Sequence, residues 1–133
     1  MERVGSRGHV LLVDDEPPLL KMMSTYLTKL GYAVTTCGTT EQACAAIETR
    51  PSGFDIAVMD ATMDGVGMED LARQMLQANP AMRVLASSGY PVDMGALEAA
   101  APGRVAFLHK PFTPQMLAAS LGRMLAAQKE EKL

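Results

Sequence analysis

The stretch HVLLVDDEPP, residues 9–18, runs four apolar residues into three acids and two prolines. An apolar run of strand length that stops at adjacent carboxylates reads as a strand whose carboxyl end meets a polar rim. Like charges held close repel, and the repulsion grows as water is removed, so a positive group is expected at that tip. Pro17 and Pro18 suit the first turn of a helix, where a missing N–H costs nothing and φ is already set. The stretch is therefore read as a strand, an acidic turn and the start of a helix.

The same alternation recurs along the chain. Strands are expected at His9 to Val13, Ala33 to Cys37, Phe54 to Met59, Arg83 to Ser87 and Arg104 to Leu108. Several of these runs are apolar on both faces, as in a parallel sheet covered on each side. Between them Leu20, Met23, Leu27 and Leu30 share a helical face, as do Met68, Leu71 and Met75, and then Leu117, Leu121 and Met124. Gly31 suits a helix end, and Thr113-Pro114 reads as an N-cap followed by a first helical proline. The fourth helix, around Val92 to Ala100, is expected to be short because Gly95 interrupts it and Pro102-Gly103 close it. Five βα units joined by right-handed crossovers give an α/β fold of three layers, a doubly wound five-stranded parallel sheet between helices.

Composition narrows the function. A chain of 133 residues fits one domain and buries roughly two-thirds of its unfolded surface. The expected domain is 1–133, with a core at about 8–127 and flexible ends at 1–7 and 128–133. The net charge is −3 and the twelve Lys and Arg are scattered, so no basic stripe is offered to a nucleic-acid backbone. Apolar runs are only a few residues long, far short of the ~20 that span a bilayer, and the start lacks the apolar core expected of a signal peptide. Direct nucleic-acid and membrane binding are not expected, and a cytoplasmic location is. Cys37 and Cys44 read as small buried thiols, and most of the 11 methionines fall at core spacing.

In an open α/β sheet, ligands bind beyond the carboxyl ends of the strands. Here the first strand ends in Asp14-Asp15, the third in Asp60, the fourth in Ser87-Ser88-Gly89-Tyr90 and the fifth in His109-Lys110-Pro111-Phe112. Three carboxylates, a hydroxyl and an ammonium thus converge on one rim. Carboxylates this close call for a cation, and hard oxygen donors with room for water suit Mg²⁺. With the charge neutralised, one carboxylate can act as a nucleophile toward a phosphoryl group, with Lys110 and Ser88 holding its oxygens.

VLLVDDEP, FDIAVMD, VLASSGY and FLHKPF, in this order and at these separations, resemble the receiver domain of two-component response regulators. The separations are 45 residues from Asp15 to Asp60, 28 from Asp60 to Ser88 and 22 from Ser88 to Lys110. The wording around SGY and KPF is most similar to receivers of hybrid sensor histidine kinases or of single-domain response regulators. The resemblance covers about Gly8 to Ala127 and implies a flavodoxin-like (βα)5 fold with strand order 2-1-3-4-5. It implies Asp60 as phospho-acceptor, taking a phosphoryl group from a sensor histidine kinase or a histidine phosphotransfer domain. It also implies Mg²⁺ on Asp14, Asp15, Asp60 and the backbone carbonyl of Thr62, with Lys110 beside them, Ser88 as the switch hydroxyl and Phe107 as the switch aromatic. No output domain is expected to follow, so the effect is expected through contact with an unidentified downstream protein or through phosphorelay.

The chain departs from the family at Asp64, where proline is usual, and at Gly67, one position early. Other residues take plainer roles. Glu16 is assigned to the helix cap, Asp55 to a strand edge, His109 to solvent and Tyr90 to loop packing, while Phe107 reads equally well as ordinary core. Ser88 is preferred to Ser87 because it precedes Gly89. Two other functions compete with the switch, which is itself not an enzyme beyond self-phosphorylation and self-dephosphorylation. A haloacid-dehalogenase-like phosphatase also uses an aspartate, Mg²⁺, a hydroxyl and a lysine. Its nucleophile, however, lies on the first strand in a D-x-D pattern, which Asp60-Ala61-Thr62-Met63-Asp64 does not match. A phosphorylation-independent docking receiver is the third, disfavoured by the complete set of site residues.

Overall fold

The computed structural model describes residues 7–50, 53–62 and 68–132, with side chains described through residue 126 except that of Met68. The expected variations at Asp64 and Gly67 lie outside the described residues, as do residues 1–6 and 133. Ten elements alternate: β1 His9–Val13, α1 Pro17–Lys29, β2 Ala33–Cys37, α2 Thr40–Thr49, β3 Ile56–Asp60, α3 Met68–Ala78, β4 Arg83–Ser88, α4 Gly95–Ala100, β5 Val105–His109 and α5 Pro114–Lys132. All strands pair in parallel, in the order β2-β1-β3-β4-β5. The order matches the one implied by the resemblance.

Alternation along each strand sorts side chains onto two faces. Val10, Leu12, Ile56, Val58, Leu85 and Leu108 face Met23 and Leu27 of α1 and Leu117 and Leu121 of α5. Leu11, Val13, Ala57, Met59, Val84 and Ala86 face α2, α3 and α4 through Ile47, Leu71, Met75 and Leu97. Because both faces are covered, the central strands β1, β3 and β4 are buried almost throughout. Each large side chain so buried contributes roughly 1.5–3 kcal/mol.

Local signals set the ends of the elements. After α1 the chain reverses at Gly31, whose φ of 102° favours glycine, and Tyr32 N–H returns to the Leu27 carbonyl at 3.1 Å. Thr113 Oγ1 accepts the Met116 N–H at 3.1 Å, capping α5 as expected. α4 is the short helix foreseen. It begins only at Gly95, whose N–H is taken by the Asp93 carboxylate at 2.8 Å.

Two strands start later than periodicity suggests. Phe54 and Asp55 precede β3, and Asp55 Oδ2 accepts the His9 N–H at 2.8 Å, tying the two strand starts together. Arg104 stands outside β5. Its guanidinium donates to the carbonyls of Met82, Leu76 and Asn79 at 2.9, 3.1 and 2.8 Å, fastening the approach to β5 onto the end of α3. At the two ends of the described residues, Arg7 N–H reaches the Gly31 carbonyl at 3.2 Å, and the α5 backbone continues through Lys132.

Candidate functional site

The carboxyl ends of β1, β3 and β5 bring Asp14, Asp60 and Lys110 to the rim on the α1/α5 side. Each continues the alternation of the strand before it, two residues beyond Leu12, Val58 and Leu108. The main chain holds this continuation in place. Asp14 N–H donates to the Cys37 carbonyl at 3.1 Å and Lys110 N–H to the Ser88 carbonyl at 2.8 Å. The Lys110–Pro111 peptide is cis.

Lys110 Nζ lies 3.0 Å from Asp14 Oδ2 and 3.3 Å from Asp60 Oδ2. Its side chain is 16% exposed, against 3% and 4% for the two carboxylates. The other oxygen of Asp60, Oδ1, accepts from the Thr62 backbone N–H at 2.9 Å and from the Thr62 hydroxyl at 2.7 Å. Asp14 Oδ1 accepts the Glu16 N–H at 3.0 Å, which shapes the turn into α1.

These contacts set the protonation of the site. Burial pushes the Asp14 carboxyl above its ordinary range. The Lys110 and Glu16 hydrogen bonds offset only part of that, and the neighbouring Asp60 charge adds to it. Burial acts on Asp60 in the same direction, yet the two Thr62 bonds and Lys110 outweigh it and hold this carboxyl below its ordinary range. Burial would lower the Lys110 ammonium, but Asp14 and Asp60 together raise it. At neutral pH the centre is an ammonium clasped by carboxylates, with Asp60 the more acidic of the two.

Asp15 is exposed, but one of its oxygens joins one each of Asp14 and Asp60, all within 4.8 Å of one another. Three carboxylates against the one ammonium of Lys110 leave a formal excess of two negative charges. An all-oxygen donor set with that excess and an open side fits a hard divalent cation such as Mg²⁺.

Ser88 ends β4 and Phe107 lies within β5. Ser88 continues the face of Ala86, which packs toward α3 and α4, and Phe107 is half-buried against the same cluster. The register pairs Ala86 with Phe107 and Ser88 with His109. Ser88 is fully buried, and its hydroxyl accepts the Tyr90 N–H at 3.1 Å. The structure therefore brings together Asp14, Asp15, Asp60, Thr62 and Lys110, while the Ser88 hydroxyl is engaged by the Tyr90 N–H and Phe107 packs against the α2/α3/α4 cluster. His109 is exposed, as expected.

Glu16 differs from expectation. Its main chain occupies the N-cap of α1, but its side chain makes no capping bond. The carboxylate instead turns toward Lys110, with Oε1 4.0 Å from Nζ and the side chain 61% exposed. The two prolines account for this. They start the helix by their fixed φ and their missing N–H, so the cap needs no acceptor. Glu16 also borders a cleft of about 480 Å³ with Leu19, Gly89, Lys110, Pro111 and Phe112. Three loops distant in sequence build this cleft, and only the position of Glu16 directly after the acidic pair hinted at its role.

A family model described as "Response regulator receiver domain" matches residues 10–122. Among curated proteins, the chain is 32% identical over 120 residues to the alginate biosynthesis transcriptional regulatory protein AlgB of Pseudomonas aeruginosa, covering 90% of this chain and 26% of that protein. It is 30% identical over 119 residues to the sensor kinase CckA of Brucella abortus, covering 90% of this chain and 13% of that protein. The chain thus spans about a quarter or less of these two relatives. Among solved structures, a CheY-like response regulator receiver domain protein from Methanospirillum hungatei JF-1 superposes with a TM-score of 0.81 at 24% identity, covering 92% of this chain and 97% of that one. The phosphatase alternative finds no support in these likenesses. The chain belongs to the response regulator receiver domain family, whose members are phosphorylation-switched signalling modules of two-component systems.

Proposed function

We propose that Asp60 accepts a phosphoryl group from a phosphohistidine on a sensor histidine kinase or a histidine phosphotransfer domain. The change is then passed on by contact with a downstream protein or by phosphorelay. The observation that carries this reading is the state of the Asp60 carboxylate, fixed by Thr62 on Oδ1 and by Lys110 on Oδ2 at the rim of the sheet. Fixing a nucleophile in one orientation removes much of the entropic cost of the transfer. The same contacts keep Asp60 ionised at neutral pH.

An oxygen of Asp60 attacks phosphorus, the donor's P–N bond breaks, and its electron pair stays on the imidazole nitrogen. Lys110 supplies a fixed ammonium for a phosphoryl oxygen. Asp14, Asp15, Asp60 and the backbone carbonyl of Thr62 would hold Mg²⁺, which would supply neutralisation of phosphoryl oxygen charge. The Ser88 hydroxyl then exchanges the Tyr90 N–H for a phosphoryl oxygen, and Phe107 repacks on the face it shares with Ser88. A phosphoryl group adds about −1.5 to −2 charge, enough to bias such a two-state element by a few kcal/mol.

Beyond self-phosphorylation and self-dephosphorylation, this reading gives the chain no catalysis. Among the described residues no helix is long and apolar enough to cross a membrane. A cytoplasmic location belongs to the proposal.

The test is exposure to acetyl phosphate with and without Mg²⁺, followed by intact mass. One Mg²⁺-dependent phosphoryl adduct is expected, absent in Asp60→Asn. An Asp60→Asn chain that labels as well as the wild type refutes the assignment.

A further inference from the structure

We propose that the cleft beside Lys110 seats the imidazole ring of the phosphohistidine donor, and that the Glu16 carboxylate makes the site prefer this donor to acyl phosphates. The inference rests on Asp60 as acceptor and adds a determinant of donor class.

The cleft has two chemically distinct parts. Leu19, Pro111 and Phe112 supply apolar walls, and Glu16 and Lys110 stand together with Oε1 and Nζ 4.0 Å apart. On the β4–α4 side the wall is Gly89, where an added Cβ would meet nothing within 4 Å, so that side is open. A volume of about 480 Å³ lies in the range of small organic-ligand sites and accommodates an aromatic ring with the start of its chain. Lys110 lines this cleft and its Nζ also contacts Asp60 Oδ2 at 3.3 Å, so one side chain links the cleft to the acceptor carboxylate.

Glu16 lacks a structural task for its side chain. It makes no capping bond, and its 4.0 Å approach to Lys110 is that of a loose, largely solvated pair. A carboxylate at the mouth of an apolar cleft complements a ring that carries an N–H. In a phosphoimidazole protonated on the nitrogen remote from phosphorus, that N–H donates to Glu16. When the P–N bond breaks, its electron pair remains on the other nitrogen and the ring leaves neutral, with the remote proton in place. A carboxylate there strengthens the protonated form that departs most easily. An acyl phosphate has no such proton and releases a carboxylate anion. Glu16 repels that anion as its charge develops.

One residue therefore acts with opposite sign on two donors. The experiment measures initial rates of Asp60 phosphorylation by monophosphoimidazole and by acetyl phosphate, at saturating Mg²⁺, in the full chain and in Glu16→Gln and Glu16→Lys. Any change in metal affinity affects both donors alike and cancels in their ratio. The imidazole-to-acetyl rate ratio should fall about tenfold in Glu16→Gln, the scale of one lost charge-assisted hydrogen bond, and further in Glu16→Lys. The acetyl phosphate rate itself should rise. A ratio that stays constant or climbs across the series overturns the inference while leaving Asp60 as acceptor. Absence of an adduct from both donors in the wild-type chain overturns the acceptor assignment and this inference with it.

Discussion

Thr62 gives both its backbone N–H and its hydroxyl to a single oxygen, Oδ1 of Asp60, at 2.9 and 2.7 Å. Lys110 holds the opposite oxygen, so the carboxylate is pinned at both ends. This is the physical origin of its acidity, which burial alone would have reduced.

Thr62→Val keeps the shape of that side chain and removes the 2.7 Å bond. The Asp60 pKa should rise toward the ordinary 3.8, read from the carboxyl carbon by NMR titration. Stability should fall by about 1 kcal/mol at neutral pH, the usual worth of such a bond. Asp60 is depressed in the folded state, so its stabilisation is complete above the ordinary value and is lost as pH falls through the depressed one. The deficit of Thr62→Val should therefore be visible at pH 7 and shrink in acid. An Asp60 titration curve identical to the wild type would show that the hydroxyl contributes nothing.

Asp14 has the opposite sign. Its folded pKa lies above the unfolded value, so ionising it costs stability once pH has risen through the raised value, and costs nothing below the ordinary 3.8. Without metal, Asp14→Asn should stabilise the chain at pH 7 by about 1 kcal/mol, the scale of relieving one buried electrostatic conflict. Urea midpoints from pH 7 to pH 4 should show the gain declining. A variant less stable than wild type at pH 7 would mean that the Lys110 bond outweighs burial.

Divalent metal should reverse that ranking. Mg²⁺ at ten times its dissociation constant stabilises the folded chain by about 1.4 kcal/mol, measurable as a rise in Tm. Asp15 is the exposed member of the cluster, so Asp15→Ala should fold normally yet lose the Mg²⁺-dependent rise. Equal shifts in both proteins would remove Asp15 from the ligand set.

The fold was open to reading because β1 and β2 signal themselves by uninterrupted apolar or β-branched runs, and their bounds coincide with the expectation. The bounds of β3 and β5 move by one or two residues, since contacts distant in sequence decide them. The Asp55 carboxylate on His9 and the Arg104 guanidinium on three carbonyls leave no periodic trace. Asp14, Asp15, Asp60 and Lys110 could be grouped in advance because each follows an apolar run that must end at the same rim. The Glu16 side chain could not. A glutamate before a helix reads as a cap until the closed sheet brings Lys110 and Phe112 to it. The pairing of Phe107 with Ala86 and of Ser88 with His109 needed the register, which sequence leaves undetermined by one residue.

The main chain ties the end of β5 to that of β4. Lys110 N–H donates to the Ser88 carbonyl at 2.8 Å, a hydrogen bond just beyond the strand pairing. A shift of the Lys110 backbone therefore bears directly on Ser88. β5, like β2 at the far edge, is laced to a neighbour along one margin only, so the strand that bears Phe107 is a selvedge of the sheet rather than part of its weave.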